Sequence, residues 1–329
     1  MSATVTTGRY PRIAVIANPA AGSTNPAYLA EIEQACAAHC RHVEIAWTRR
    51  RAHAAALARR LAFTGTAATS PQPPGDQPPV DAVVAVGGDG TVREVVAGLA
   101  RGPQGRGPAL IVLPGGTANS NFRSLWDDVP WRSALDSALT GAGAEERRLD
   151  FGLMAQSRRV VVLGTSTGLF AEATAAARSV PVAGRDRYQV ALQSALSAFV
   201  PYPGRVVVDG EVLHEGKTVL VNIGGSRYRA GVFDVLPRSV RDDGLLDVCV
   251  IGAELGPAAA LDLMRTGQHL GASGVVYGQG RSITVERTDG SPLLFEHDGE
   301  VVPGEATAFT IDVVPAAVRF VVSTRRREG

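Results

Sequence analysis

A chain of 329 residues is long for a single core and comfortable for two domains. Hydrophobic residues make up 45% and charged residues 20%, the balance of a soluble globular protein, and a formal net charge of +1 supplies no global field that would draw the chain to nucleic acid or an anionic membrane. No stretch is long and apolar enough to span a bilayer, residues 1–8 lack the apolar centre of a signal peptide, and three cysteines fit a reduced, cytoplasmic protein.

The run Ile13-Ala14-Val15-Ile16-Ala17 ends in Asn18-Pro19-Ala20-Ala21-Gly22-Ser23, the pattern of a buried parallel strand entering a loop of small residues. A helix is expected from Pro26 to Arg41, a strand from His42 to Thr48 and a helix from Ala52 to Phe63. Cys36 and Cys40 share a face of the first helix near His39 and His42, which reads as ordinary packing rather than a metal site. Residues 64–79, rich in Pro, Gly, Thr and Ser, read as a flexible insertion. Asp81–Val86 is the next strand, a helix begins at Val92, and Leu110–Leu113 is a strand followed by Pro114-Gly115-Gly116-Thr117. Strands alternating with helices predict a doubly wound parallel α/β domain over residues 1–149.

After Asp150 the texture changes to short strands: Val160–Leu163, Arg205–Val208, Thr218–Ile223, Leu246–Ile251, Ser282–Glu286, Leu293–Glu296 and Ala308–Val313. The clearest helices there are Gly168–Arg178, Tyr188–Phe199 and Pro257–His269. The expected fold is therefore α/β plus β, with a mainly antiparallel β-sandwich domain over residues 150–313 and a site in the cleft between the halves.

The run Gly87-Gly88-Asp89-Gly90-Thr91 falls where a strand gives way to a helix. Glycines let the backbone turn sharply and approach a phosphate, exposed N–H groups donate to its oxygens, and the helix adds its positive end. Asp89 does not favour bare phosphate, so its expected partner is the magnesium that accompanies ATP. Asn18–Ser23 and Gly115–Asn119 make similar junctions, and three such loops at strand carboxyl ends suit a nucleotide crevice. Neither the P-loop pattern nor the Gly-x-Gly-x-x-Gly fingerprint is present.

On Asn18-Pro19-x-x-Gly22, Gly87 to Thr91 with Glu94, Gly115-Gly116-Thr117-x-Asn119, Asp243-Gly244-x-Leu246-Asp247 and Asp298-Gly299-Glu300, the chain resembles the diacylglycerol-kinase-type lipid kinases, which include sphingosine kinases and bacterial soluble lipid kinases. The resemblance implies an ATP- and Mg2+-dependent kinase acting on a hydroxyl of a diacylglycerol-like lipid at the membrane surface. It implies ATP contacts from Asn18, Thr48, Gly87, Gly88, Asp89, Gly90, Thr91, Arg93, Glu94, Gly116, Thr117 and Asn119. Glu300 would be the general base, with Asp89, Asp150 and Asp298 organising the catalytic magnesium. Asp243, with the carbonyls of Val240 and Leu245, would form a second metal site. A C-terminal strand within residues 314–329 would return to the first domain. The enzyme would be cytoplasmic and transiently membrane-associated, with no nucleic-acid partner; a homo-oligomer is compatible with the sequence.

The family continues Gly-Thr-x-Asn with Asp-Phe-Ala, whereas here Ser120 takes the place of a carboxylate, and Arg93 replaces the common Asn before Glu94. Two alternatives follow: NAD kinase, which shares Gly-Gly-Asp-Gly, and a degenerate, non-catalytic lipid- or nucleotide-binding member. Among the charged clusters, Arg49–Arg51, Arg147-Arg148 and Arg325–Arg327 read as solvated faces or tails, while Arg185, Arg187, Arg227 and Arg229 are candidates to meet anionic headgroups.

Overall fold

The structure is a computed structural model that describes residues 8–64, 79–100, 107–182, 186–230 and 232–324. Most of the expected insertion, the polar residues 1–7, Arg185 and Arg325–Arg327 lie outside the described residues. The chain divides into two compact units, residues 1–149 with 317–329 and residues 150–316.

The first unit begins with β1 (Arg12–Ala17), α1 (Pro26–His39), β2 (His42–Trp47), α2 (His53–Thr64), β3 (Ala82–Gly87), α3 (Asp89–Leu99) and β4 (Ala109–Pro114). It continues through α4 (Ser120–Trp126) and α5 (Trp131–Thr140) into β5 (Ala144–Met154), which runs on into the second unit. Pairing is parallel, β1 with β2 and β3, and β3 with β4. Every residue of β3 is buried, as expected of a parallel strand covered on both faces. The helices accordingly pair off, α1 packing on α5 and α2 on α3. Strand order 2-1-3-4 reverses direction between β1 and β3, the switch point at which open α/β sheets commonly bind ligands. At the start of α1, Asn25 accepts from Tyr28 N at 2.9 Å and Pro26 occupies the first turn, where its missing N–H is harmless.

The second unit holds β6 (Val160–Val161), β7 (Thr165–Gly168), α6 (Leu169–Ala176), α7 (Asp186–Ala198), β8 (Tyr202–Val208), β9 (Glu211–Gly224), β10 (Tyr228–Arg229) and β11 (Phe233–Asp234). Then come β12 (Leu246–Gly252), α8 (Pro257–Arg265), β13 (Val275–Gly280), β14 (Ser282–Arg287), β15 (Phe295–His297), β16 (Glu300–Val301) and β17 (Ala308–Ser323). Strand β9 pairs antiparallel with β8 through its first half, with β7 through its second, and with β12 on its other edge. One face of this antiparallel sandwich buries Val206, Val221, Ile223, Val248, Ile283 and Phe309. The opposite face, carrying Leu220, Cys249 and Ile251, is covered by Phe170 of α6, Leu192 of α7 and Met264 of α8. That alternation follows from the two-residue period of β-strands. Strand β17 crosses back to the first unit, where Phe320 pairs in parallel with Leu110 of β4.

Several boundaries differ from expectation. The third helix begins at Asp89 rather than Val92, so Asp89-Gly90-Thr91 open its first turn, with Gly88 as N-cap and Gly87 closing β3. The strand expected over Val160–Leu163 stops at Val161, because the next backbone N–H groups turn to a side-chain carboxylate. Cys36, Cys40 and Cys249 are free and buried, and burial pushes their thiols up to about 12, 11 and 12, so none is a ready nucleophile at neutral pH.

Candidate active site

In the first unit the loops that follow the parallel strands are stitched together by short hydrogen bonds. Asn18, just past β1, donates from its backbone to Val86 O at 3.0 Å and from Nδ2 to Thr91 Oγ1 at 3.0 Å. Thr48, just past β2, donates from Oγ1 to Asn18 Oδ1 at 3.3 Å. Asn18 thus lies at the reversal of strand order and ties three strand ends together. The loops after β3 and β4 run backbone against backbone, with Gly115 N donating to Gly87 O at 2.9 Å. A Cβ on Gly116 would lie 2.5 Å from Gly88 Cα, so only glycine allows this approach. Asn119, at φ 52°, closes the second loop by accepting from Gly116 N and donating to Gly116 O, both at 2.8 Å.

Helix α3 starts from this apposition with Gly88 at its N-cap and no side chain capping it. Thr91 N donates to Gly88 O at 2.9 Å, while the amides ahead of it keep the donor capacity, and the helix start the positive partial charge, that favour an anion. Gly90 and Thr117 are exposed and Arg93 is half-buried on the same helix.

Two acidic residues of the expected nucleotide set have other work. Asp89 Oδ1 accepts from Asn121 N at 2.8 Å and Asn121 Nδ2 at 2.9 Å, while Oδ2 accepts from Ser120 N at 3.0 Å. The carboxylate therefore caps α4, which leaves Oδ2 with spare lone-pair capacity. Glu94 accepts from Ala52 N at 2.8 Å and Ala54 N at 3.2 Å, fixing the entry to α2. In the structure Glu94 is thus a capping group at the start of α2. Glu94→Ala should lower stability by about 1 kcal/mol and leave ATP affinity unchanged. Chemical denaturation and calorimetric ATP titration check this, and a large loss of ATP affinity would restore the direct role.

In the second unit, Asp298-Gly299 forms the two-residue turn between β15 and β16, with His297 paired to Glu300. Both turn residues have positive φ, 48° and 81°, as the type I′ hairpin requires. The Asp298 carboxylate is buried and accepts from Leu163 N at 2.7 Å, Val162 N at 3.1 Å and Gly164 N at 3.3 Å. Burial alone would raise its pKa. The neighbouring His297 imidazole, 3.7 Å away, and the backbone donors outweigh burial and hold it below the ordinary carboxylate value. Asp298 is thus an anchor for the turn, and Glu300 stands half-buried one step beyond it.

Asp150 is likewise engaged by backbone, accepting from Gly244 N and Ala316 N, both at 2.7 Å. Burial raises its pKa against those two bonds, helped by the charges of Asp243 and Asp242. It therefore groups with the loop of Asp243, where Asp243 Oδ1 accepts from Leu245 N at 3.0 Å and Val240 is exposed. No set of three His, Cys, Asp or Glu side chains that could hold a metal occurs among the described residues. A protein cage for magnesium is not formed there, but an ion held by ATP phosphates, water and one carboxylate needs none. Asp89 fits that requirement through its remaining oxygen capacity.

Three of the four candidate headgroup arginines have partners within the protein. Arg227 chelates Asp234 at 2.8 and 2.7 Å, Arg229 is buried 3.6 Å from Glu296, and Arg187 Nε donates to Val182 O at 2.7 Å. Sequence reasoning missed Asn121, Glu296 and the backbone of 162–164, since partners so distant along the chain leave no local pattern.

Residues 12–154 match the diacylglycerol kinase catalytic domain, and residues 164–322 match the YegS C-terminal NAD kinase beta sandwich-like domain. The chain belongs to the lipid-kinase-like family that carries these two domains, of diacylglycerol kinase type. It is similar to the probable lipid kinase YegS of Salmonella typhimurium, 27% identical over 242 residues, 73% of this chain and 77% of the relative. A probable YegS-like lipid kinase of Pectobacterium atrosepticum is 28% identical over 243 residues, 72% and 77% of the respective chains. The crystal structure of a putative diacylglycerol kinase from Bacillus anthracis shares the fold at a TM-score of 0.73 and 22% identity, covering 96% of this chain and 98% of the other.

Proposed function

We propose that the chain transfers the terminal phosphoryl group of ATP to a hydroxyl of a diacylglycerol-like lipid. The observation that carries this reading is the uncapped start of α3 between closely apposed glycine loops, in a chain with a diacylglycerol kinase catalytic domain. The α3 amides bind ATP phosphates, while Asn18, Thr48 and Thr91 line the neighbouring strand ends. Asp89 would help hold magnesium, which supplies charge neutralisation over the phosphoryl oxygens when bound.

Transfer forms a bond from the lipid oxygen to the γ-phosphorus and breaks the bond to the bridging oxygen, releasing ADP. Glu300 takes the hydroxyl proton, and a carboxylate is an adequate base when the transition state is loose. No described helix is long and apolar enough to cross a membrane; the proposed encounter with the lipid is at the bilayer surface.

The test is transfer of labelled γ-phosphate to a panel of lipids, with Glu300→Ala alongside. A labelled lipid whose formation falls on the order of 100-fold or more in the variant supports the reading. No labelled lipid, with ATP binding intact, sinks it. The second reading, a nucleotide- and lipid-binding protein without turnover, is favoured by Ser120 and by the engagement of Asp89 in capping α4.

A further inference from the structure

Glu300 lies on β16, a two-residue strand joined to the sheet through β15. So short a strand has little intrinsic rigidity; beside its packing on α6 and the bond from Val302 N to Phe295 O, its placement depends on what holds the turn before it. Asp298 holds the first turn residue. The second, Gly299, donates its N–H to Glu296 Oε2 at 3.0 Å. Glu296 itself is only 4% exposed. It occupies the row opposite Ser166 of β7, and Ser166 in turn pairs with Asn222 of β9.

A buried carboxylate requires compensation, and Arg229 supplies it from 3.6 Å, a separation too long for a hydrogen bond. The Arg229 guanidinium nitrogen facing Glu296 makes no hydrogen bond among the described residues. It is instead crowded against Gly164, where a Cβ would come within 3.0 Å of it. An ion pair of this geometry contributes little to stability relative to an apolar pair of the same volume. What it does deliver is a fixed negative oxygen at the Gly299 amide, one residue before the proposed base.

Resting on the lipid-kinase reading for its catalytic consequence, we infer that Glu296, charge-balanced by Arg229, is a positioning residue that sets the location of Glu300 through the Gly299 N–H. The pair acts on the placement of the base and touches neither substrate nor nucleotide.

The test uses the full chain in two variants, Glu296→Gln and Arg229→Met/Glu296→Met. Hydrogen–deuterium exchange at Gly299 and Glu300, melting temperature, and kcat and KM for lipid and ATP are measured together. The double variant should melt near the wild type, because an apolar pair replaces the buried ions. Its Gly299 and Glu300 amides should nevertheless exchange about tenfold faster, the loss of one charge-assisted hydrogen bond, while those of Val162–Gly164 stay protected. Its kcat should fall roughly 100-fold with KM unchanged, the signature of a displaced catalytic group. Should the double variant not fold, Glu296→Gln carries the same readouts with side-chain shape preserved. Wild-type hairpin protection in the folded variant, or a loss appearing in KM rather than kcat, overturns the inference. Should the wild type phosphorylate no lipid, the function reading falls separately, and hairpin exchange alone decides whether Glu296 holds the turn.

Discussion

Asp298→Asn should destabilise the protein by about 3 kcal/mol or more, since it places an amide where three backbone donors converge on a buried charge. The side chain changes little in volume, so packing is not the cause. Because the carboxylate pKa is depressed in the folded state, its contribution is fully present above the unfolded value of about 3.9 and is lost as pH falls through the folded value. The wild type should therefore lose stability steeply between about pH 4 and lower values, and the variant should show a shallower acid limb. Urea midpoints measured across that range check both statements. Equal midpoints at neutral pH would mean that the cradle around Asp298 does not stabilise the turn. Phosphoryl transfer should fall further than the folded fraction does, because the turn carrying Glu300 is released.

The second large effect is expected at Gly116→Ala. Its methyl group would sit 2.5 Å from Gly88 Cα, so the loops after β3 and β4 must move apart and carry the start of α3 with them. A displacement of that size should weaken ATP binding on the order of 100-fold. Gly90→Ala is the informative contrast, since a Cβ there meets nothing within 4 Å. It should leave the fold intact, and any fall in ATP affinity would then report how closely the phosphates approach that backbone. Calorimetric ATP titration with melting temperatures separates these cases. Unaltered affinity in Gly116→Ala would show that close loop apposition does not shape the nucleotide site.

The parallel half was legible because its strands are near-continuous apolar runs that stop at small residues, as at Ala82–Gly87, and such runs announce themselves locally. Helices α4 and α5 were not foreseen. Ser120–Trp126 is too short to display a helical period, and its N-terminal partner, Asp89, lies 31 residues earlier in the chain. Strand β5 was hidden by Glu145-Glu146-Arg147-Arg148, which reads as a charged surface but sits on a strand where Glu146 meets Arg319 at 2.9 Å. Motif spacing identified the residues at the strand ends. It could not distinguish Asn18, which faces its neighbouring loops, from Glu94, which turns to a different helix. The anchoring of Asp298 and the part of Glu296 depend on register between β7, β9 and β15, information that exists only after the sheet has formed.

The pairing of Phe320 with Leu110 carries a consequence for biosynthesis. Residues 150–316 are threaded between two parts of one folding unit. A ribosome adding about 5–20 residues per second would complete β4 on the order of ten seconds or more before residue 320 exists. During that interval an edge of a hydrophobic parallel sheet waits without its neighbour, which is a template for unwanted association. The second unit, although translated later, has its whole sequence available first. Removal of residues 317–324 should leave that edge unpaired in the finished chain and promote association.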